Sequence, residues 1–303
     1  MRKSGCSPIL LGLGITILAL AVISFVNGAI GSKFVDVEAF KFLRVTQPHV
    51  SLATEPIFHI AGFPITNSII AAWLTIVVLL ILFVIGTRKM KLVPRGLQNF
   101  LEFIIEALLN LVEGLAGKKN GRRFFAVIAT IFLFVLFNAY LALFPGFGTI
   151  LVFEGEHKKE LLRAANTDIN FPLALALISF AFVEYWGVTT VGFFRYLGKF
   201  FAVKRLFRGN PMGIIDMFVG ILELVSELVR IVSFTFRLFG NMTAGEILFL
   251  IVFFLWSWGI AIAVYGLEML VGIVQALIFS LLTLIFAVLA VAAHGHEEEH
   301  KEH

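Results

Sequence analysis

The chain has 303 residues, 59% hydrophobic and only 15% charged, with a mean hydropathy of +0.97. Globular domains average roughly 45–50% apolar and about 25% charged residues. Here the apolar residues form runs reaching the ~20 residues that cross a ~30 Å hydrocarbon core as a helix. This excludes an ordinary water-soluble domain. The net charge of +4 comes from Lys and Arg beside the apolar runs, a pattern of membrane topology rather than of a nucleic-acid partner.

Six apolar units follow one another, at 9–30, 68–86, 124–144, 171–194, 212–257 and 258–293. Period-two alternation with short turns is absent, which argues against an outer-membrane barrel. The fold class is therefore all-α: a polytopic integral membrane protein of five to six transmembrane helices. The first unit follows Arg2 and Lys3 and reads either as a signal peptide or as a retained helix. In both readings 31–67 lies outside. Cys6 stands alone and precedes the first run, so there is no intrachain disulfide and no lipoprotein acylation site after that run.

The connection at 87–123 carries Arg88, Lys89, Lys91, Arg95, Lys118, Lys119, Arg122 and Arg123. The connection at 193–211 carries Arg195, Lys199, Lys204, Arg205 and Arg208. The positive-inside rule places both on the cytoplasmic side, and six crossings then leave the C-terminus in the cytoplasm. Within the first connection, 94–117 is amphipathic. Leu97, Leu101, Ile104, Ile105, Leu108, Leu109 and Val112 form one stripe, opposite Gln98, Glu102, Glu106, Asn110 and Glu113. That pattern predicts a helix on the membrane surface or against a partner helix. No internal repeat is present, which counts against inverted-repeat transporters.

The fifth unit is long. As one helix its 46 residues would measure about 69 Å, twice a membrane thickness, so it must break, leave the membrane or run obliquely. With the sixth unit it predicts a long hairpin over 212–293. It also holds Asp216, Glu223, Glu227, Arg230, Arg237 and Glu246. Glu223, Arg230 and Arg237 recur every seven residues on one face, flanked by Ser233 and Asn241. Glu246 lies nine residues past Arg237, roughly half a turn round and about 13 Å along the axis.

An arginine at mid-membrane costs about 2.5–3.5 kcal/mol on insertion scales. Ser233, Phe234, Gly240 and Asn241, three and four residues away, include no acid, so the partner of Arg237 belongs to another helix or another chain. The last unit adds Glu268 and Gln275, seven apart on one face with Gly272, where a glycine permits close helix approach. Buried carboxylates of this kind can load and release protons. The blander alternative is that these charges only pair and fix helix packing, above all for Glu227 and Arg230, while Asp216 is a solvated end residue. The tail "HGHEEEHKEH" at 294–303 reads as solvated rather than metal-binding. No phosphate-binding glycine loop, HExxH or nucleophile elbow is present, so no catalytic residue, metal or cofactor is expected.

At these residues the chain resembles the a subunit of the F-type ATP synthase membrane sector. The likeness rests on "RLFGNMTAGE" at 237–246 and "VQALIF" at 274–279, with looser matches in "FPITNS", "FNAYLALFPG", "TDIN" and "PMGIIDMF". The resemblance implies a non-catalytic proton-translocating stator subunit of a bacterial plasma membrane. Its partners would be a ring of c subunits, the b subunits of the peripheral stalk, the lipid bilayer and the whole F1Fo complex.

On this reading Arg237 meets each ring carboxylate in turn. Glu246, Glu268 and Gln275 line the outer half-channel, with Glu223 and Asn241 also on the proton path. Asn138, Asp168, Asn170, Glu184 and Ser233 are weaker candidates. Some family members carry histidine where Glu246 or Glu268 stands, and Glu184 matches no fixed family acid. Read from the residues themselves, the domains are 1–30, the N-terminal helix or signal peptide; 31–67, outside; and 68–303, the membrane domain with its hairpin at 212–293 and tail at 294–303. A self-contained channel or transporter gated by Arg237, and a membrane scaffold, are the competing readings.

Overall fold

The computed structural model describes residues 8–31, 54–60, 62–144, 147, 150–154, 157–193, 196, 212–256 and 258–292. Most of the outside segment, the basic residues at 195–208 and the tail at 294–303 lie outside the described residues. The elements are α1 (Pro8–Asn27), β1 (Pro56–Ile60), β2 (Phe63–Thr66), α2 (Asn67–Thr87), α3 (Leu97–Leu143), β3 (Leu151–Glu154), β4 (His157–Glu160), a 3-10 turn (Ala165–Thr167), α4 (Asn170–Val191), α5 (Met212–Trp256) and α6 (Trp258–Ala292). Among the described residues five helices, α2 to α6, are long and apolar enough to cross a membrane. The all-α polytopic expectation agrees with this.

Two short antiparallel hairpins accompany the helices. In one, β1 pairs with β2 from Pro56↔Thr66 to Ile60↔Phe63, and Gly62 turns the chain at φ 83°. In the other, β3 pairs with β4 from Leu151↔Glu160 to Glu154↔His157. Strands of four or five residues leave little periodic signal in a sequence, because pairing rather than propensity selects them.

The surface helix and the third apolar unit share one element, α3, but not one axis. Gly117 has φ 74° and ψ 158°, a conformation open to glycine and closed to most L side chains. In a straight helix eight residues span about 12 Å. A Cβ on Gly121 would instead come within 2.9 Å of the Glu113 Cα, so the chain folds back sharply at Gly117. Arg122 Nε donates to Glu113 Oε1 at 2.8 Å across this bend. In the arm before it, Leu101, Leu108 and Val112 are buried while Phe100, Phe103, Leu111 and Leu115 are exposed.

The chain forms two compact units. The larger comprises Thr54–Gly240 and Gly272–His303. Its core joins Val112, Phe124 and Ile128 of α3, Val183 of α4, and Leu284 and Ala287 of α6. Phe124 meets Phe182 edge-on at 5.8 Å, and Phe234 of α5 packs on Phe279 of α6 at 5.0 Å. Ser179 and Thr283 share a hydrogen bond of 2.7 Å between α4 and α6, satisfying two buried hydroxyls. Gly272 lets α6 approach α3, where a Cβ would stand 3.1 Å from that of Ala139.

The smaller unit comprises Met1–Ala53 and Asn241–Val271. In it α1 docks end-on: Ser24 Oγ donates to the Trp256 carbonyl at 2.5 Å and Ala29 N to the Phe254 carbonyl at 3.0 Å. A side chain on Gly28 would overlap the Leu255 carbonyl.

Candidate functional site

α5 is a single α-helix of 45 residues, so of the three outcomes open to it, breaking does not occur. Its packing in the larger unit sets the surroundings of Arg237. Phe234 and Leu238 are buried, whereas Val232, Ser233 and Phe236 are exposed. Arg237 lies on the flank between these faces. Its Nη2 donates to Ser233 Oγ at 3.3 Å, and its guanidinium carbon lies 5.8 Å from the Phe234 ring. Among the described residues it has no carboxylate within ion-pair distance. Gln275 of α6 is buried in the same unit, 5% exposed, next to Ala276.

Glu246 and Glu268 belong to the smaller unit, as does Asn241, which is exposed. Glu268 is 8% exposed, and its carboxylate lies directly over Gly245, where any Cβ would overlap it. The glycine of "TAGE" is what admits this acid beside α5, one position from Glu246. The acids stand out in the sequence, and the glycine between them does not.

A polar cluster gathers where α2 and α4 begin, around the 3-10 turn. Ser68 Oγ donates to Asp168 Oδ2 at 2.8 Å, and Thr66 and Ser68 share a hydroxyl contact of 2.8 Å. The other oxygen of Asp168 accepts from Asn170 N at 3.1 Å and Asn170 Nδ2 at 3.0 Å. Asp168 thus caps the first turn of α4, where the helix dipole also favours a negative charge, and ties that end to α2. Asn170 itself is exposed. Two buried amides stand apart from this bonding: both side-chain polar atoms of Asn138 and of Asn166 lack a hydrogen-bond partner among the described residues. Such groups carry a desolvation cost unless water or a mobile ion reaches them.

A second cluster lies toward the C-terminal end of α4. Tyr196 is buried against Gly187 and its hydroxyl donates to the Glu184 carboxylate. Burial first, and that bond second, push the Tyr196 phenol well above its ordinary range, with the nearby charges of Glu227 and Glu223 adding to it. On α5, Glu227 pairs with Arg230 at 2.5 Å, and the Arg230 guanidinium stacks 3.7 Å over Phe286 of α6. Arg123 of α3 stacks 3.7 Å over Trp186 of α4. Glu184 therefore sits in one neighbourhood with Glu223 and Glu227. Tyr196 escapes a reading of the sequence because its own stretch, "FFRYLG", carries only the signal of a basic loop.

The chain is similar to known proteins over most of its length. The family model of the ATP synthase A chain matches residues 69–287. ATP synthase subunit a of Helicobacter pylori (strain Shi470) is 31% identical over 245 residues, covering 79% of this chain and 98% of that one. ATP synthase subunit a of Helicobacter acinonychis is likewise 31% identical over 245 residues. That of Campylobacter concisus is 30% identical over 225 residues, covering 74% of this chain and 89% of its own. With five apolar spans in place and the family model covering most of its length, the chain belongs to the ATP synthase A chain family, the non-catalytic a subunits of the F-type membrane sector.

Proposed function

We propose that this chain lines two offset proton half-channels against a rotating ring of c subunits, with Arg237 between them. The observation that carries the reading is Arg237 itself: a permanent cation on the flank of a long apolar helix, held by one hydroxyl and facing no carboxylate of its own chain among the described residues. A carboxylate carried past on another subunit would supply the missing partner. The 45-residue length of α5 supports this, since a helix that long could run obliquely along a curved ring.

The outer half-channel uses Glu246, Glu268 and Gln275, with Asn138 as a further polar stop. Asn241 and Ser233 flank the arginine. Asp168 and Asn170 frame the outer end. The inner half-channel uses Glu223, joined by Glu184 through the shared neighbourhood of Tyr196. The chain sits in the plasma membrane of a bacterium with its C-terminus in the cytoplasm, 31–67 outside, and 68–303 as its membrane domain. The b subunits of a peripheral stalk complete its protein partners.

The test is cysteine cross-linking in the assembled complex. Cysteines at Ser233 and Asn241 are expected to cross-link to a small hairpin subunit, and the chain reconstituted alone is expected to pass few protons. Cross-links confined to this chain, or selective proton flux from the chain alone, would sink the reading in favour of a self-contained channel.

A further inference from the structure

We propose that the loop joining α2 to α3 is a binding site for the phosphate headgroup of an anionic phospholipid. A cleft of about 200 Å³ opens there. Lys89, Lys91, Arg95 and Gln98 line it together with Ile85, Gly86 and Leu97. The segment "RKMKLVPR" carries four cations and no acid. Membrane topology accounts for cations beside an apolar span. It does not account for the fastening of the loop.

The fastening is specific. Gln98, almost fully buried, accepts from Lys91 N at 3.1 Å and donates back to Lys91 O at 3.0 Å. Its amide nitrogen also donates to Glu102 Oε1 at 2.7 Å, which occupies the nearest acid of the helix that follows. Gly96, at φ 63°, turns the chain into α3 in a conformation side chains rarely adopt. Gly86 removes the Cβ that would overlap Leu101, so the end of α2 closes onto α3 and contributes apolar lining. Lys89, Lys91 and Arg95 are thereby presented from a braced backbone to one cleft, and the entropy of gathering three cations around one phosphate is reduced in advance.

The surroundings fit an amphiphile. Met90, Leu92 and Val93 alternate with the cations and are among the most exposed apolar side chains, Leu92 completely so. The loop caps an apolar span and so lies at the bilayer boundary, where one ligand can offer a phosphate to the lysines and the arginine and a hydrocarbon chain to Ile85 and Leu97. A free phosphate would use the cations only.

The assembled complex is stripped of bound lipid and reconstituted into phosphatidylcholine vesicles. These carry a trace of phosphatidylglycerol with a photoreactive group in its acyl chain, or phosphatidylcholine bearing the same group. After irradiation, adducts on residues 85–98 are measured by mass spectrometry. The glycerol probe is expected to label this stretch at least five-fold more than the choline probe. Lys89→Gln with Lys91→Gln and Arg95→Gln is expected to remove the difference, whereas Lys89→Arg with Lys91→Arg keeps it. Equal labelling of the unaltered chain by the two probes overturns the proposal without any variant. Equal labelling by the two probes, together with protection of Lys89 and Lys91 from amine acetylation by millimolar inorganic phosphate, would show a site for a free anion instead.

Discussion

The carboxylate of Glu268 occupies the space that a side chain at Gly245 would need. The two helices α5 and α6 meet here through an acid laid on bare backbone, with Glu246 in the next position. A methyl group at 245 meets the far end of a flexible side chain, which can swing aside, so its effect falls on the acid's position more than on the fold.

Gly245→Ala is therefore expected to assemble at near-normal levels yet slow ATP-driven proton pumping in inverted vesicles several-fold. Gly245→Ala with Glu268→Asp, whose shorter side chain clears the methyl group, is expected to recover part of the rate. A single variant that pumps normally would show that the placement of Glu268 is irrelevant to the path.

The spans are legible in the sequence because apolar runs of ~20 residues, in a chain this poor in charge, outrun any core it could build in water. The amphipathic segment at 94–117 is legible from its 3.6-residue period, but the sharp fold at Gly117 is not, since a lone glycine in a helical pattern usually costs only stability. Arg237 stands out by the expense of its position. Gly245 does not, because its importance depends on a side chain 23 residues away on another helix. Ser68 with Asp168, and Glu184 with Tyr196, pair segments that no local pattern connects.

Asp168 is fully engaged as a brace, accepting from Ser68 with one oxygen and from Asn170 with the other. Asp168→Asn loses one acceptor, so its main expected effect is on stability, by about 1.5–3 kcal/mol for a bond to a charged group. Thermal unfolding of the purified complex should show this, with proton flux per assembled complex changed by less than two-fold. A large flux defect in a fully stable complex would instead make Asp168 a proton stop. Ser68→Ala should give a similar loss of stability and add little in combination with Asp168→Asn, because both remove the same bond.

The phenol of Tyr196 titrates above its ordinary range, so it stays protonated and donates to Glu184 through the whole neutral range. A group whose folded pKa is raised contributes stability that is present below its unfolded pKa, about 10 for tyrosine, and fades as pH climbs through the folded value. Tyr196→Phe is expected to lower stability by roughly 1 kcal/mol, with a gap that is constant across the neutral range. A gap that opens or closes within that window would mean that another group governs the contact. If Glu184 also serves the inner half-channel, Glu184→Gln slows outward proton release in vesicles and Tyr196→Phe does so to a smaller degree.

In the function proposed above, Arg237 would perform two tasks with one charge. It would favour the ionised form of a ring carboxylate arriving beside it, so that the proton leaves on the correct side. It would also raise the energy of any proton moving directly between the half-channels, so that protons cross only with rotation. Its single hydroxyl contact at Ser233 leaves the guanidinium free to turn toward a passing partner. Arg237→Ala is thus expected to abolish coupled ATP synthesis, with a passive, rotation-independent proton leak as the accompanying sign. Arg237→Lys keeps a charge but loses the planar fork and the firmly held proton, so synthesis is expected to fall to a few per cent or less. Ser233→Ala, which removes only the tether, should leave synthesis within a few-fold of normal. Synthesis and passive flux are measured in inverted vesicles, with assembled complex quantified in the same preparations. Tight coupling and normal synthesis in Arg237→Ala would overturn the central role given to this residue.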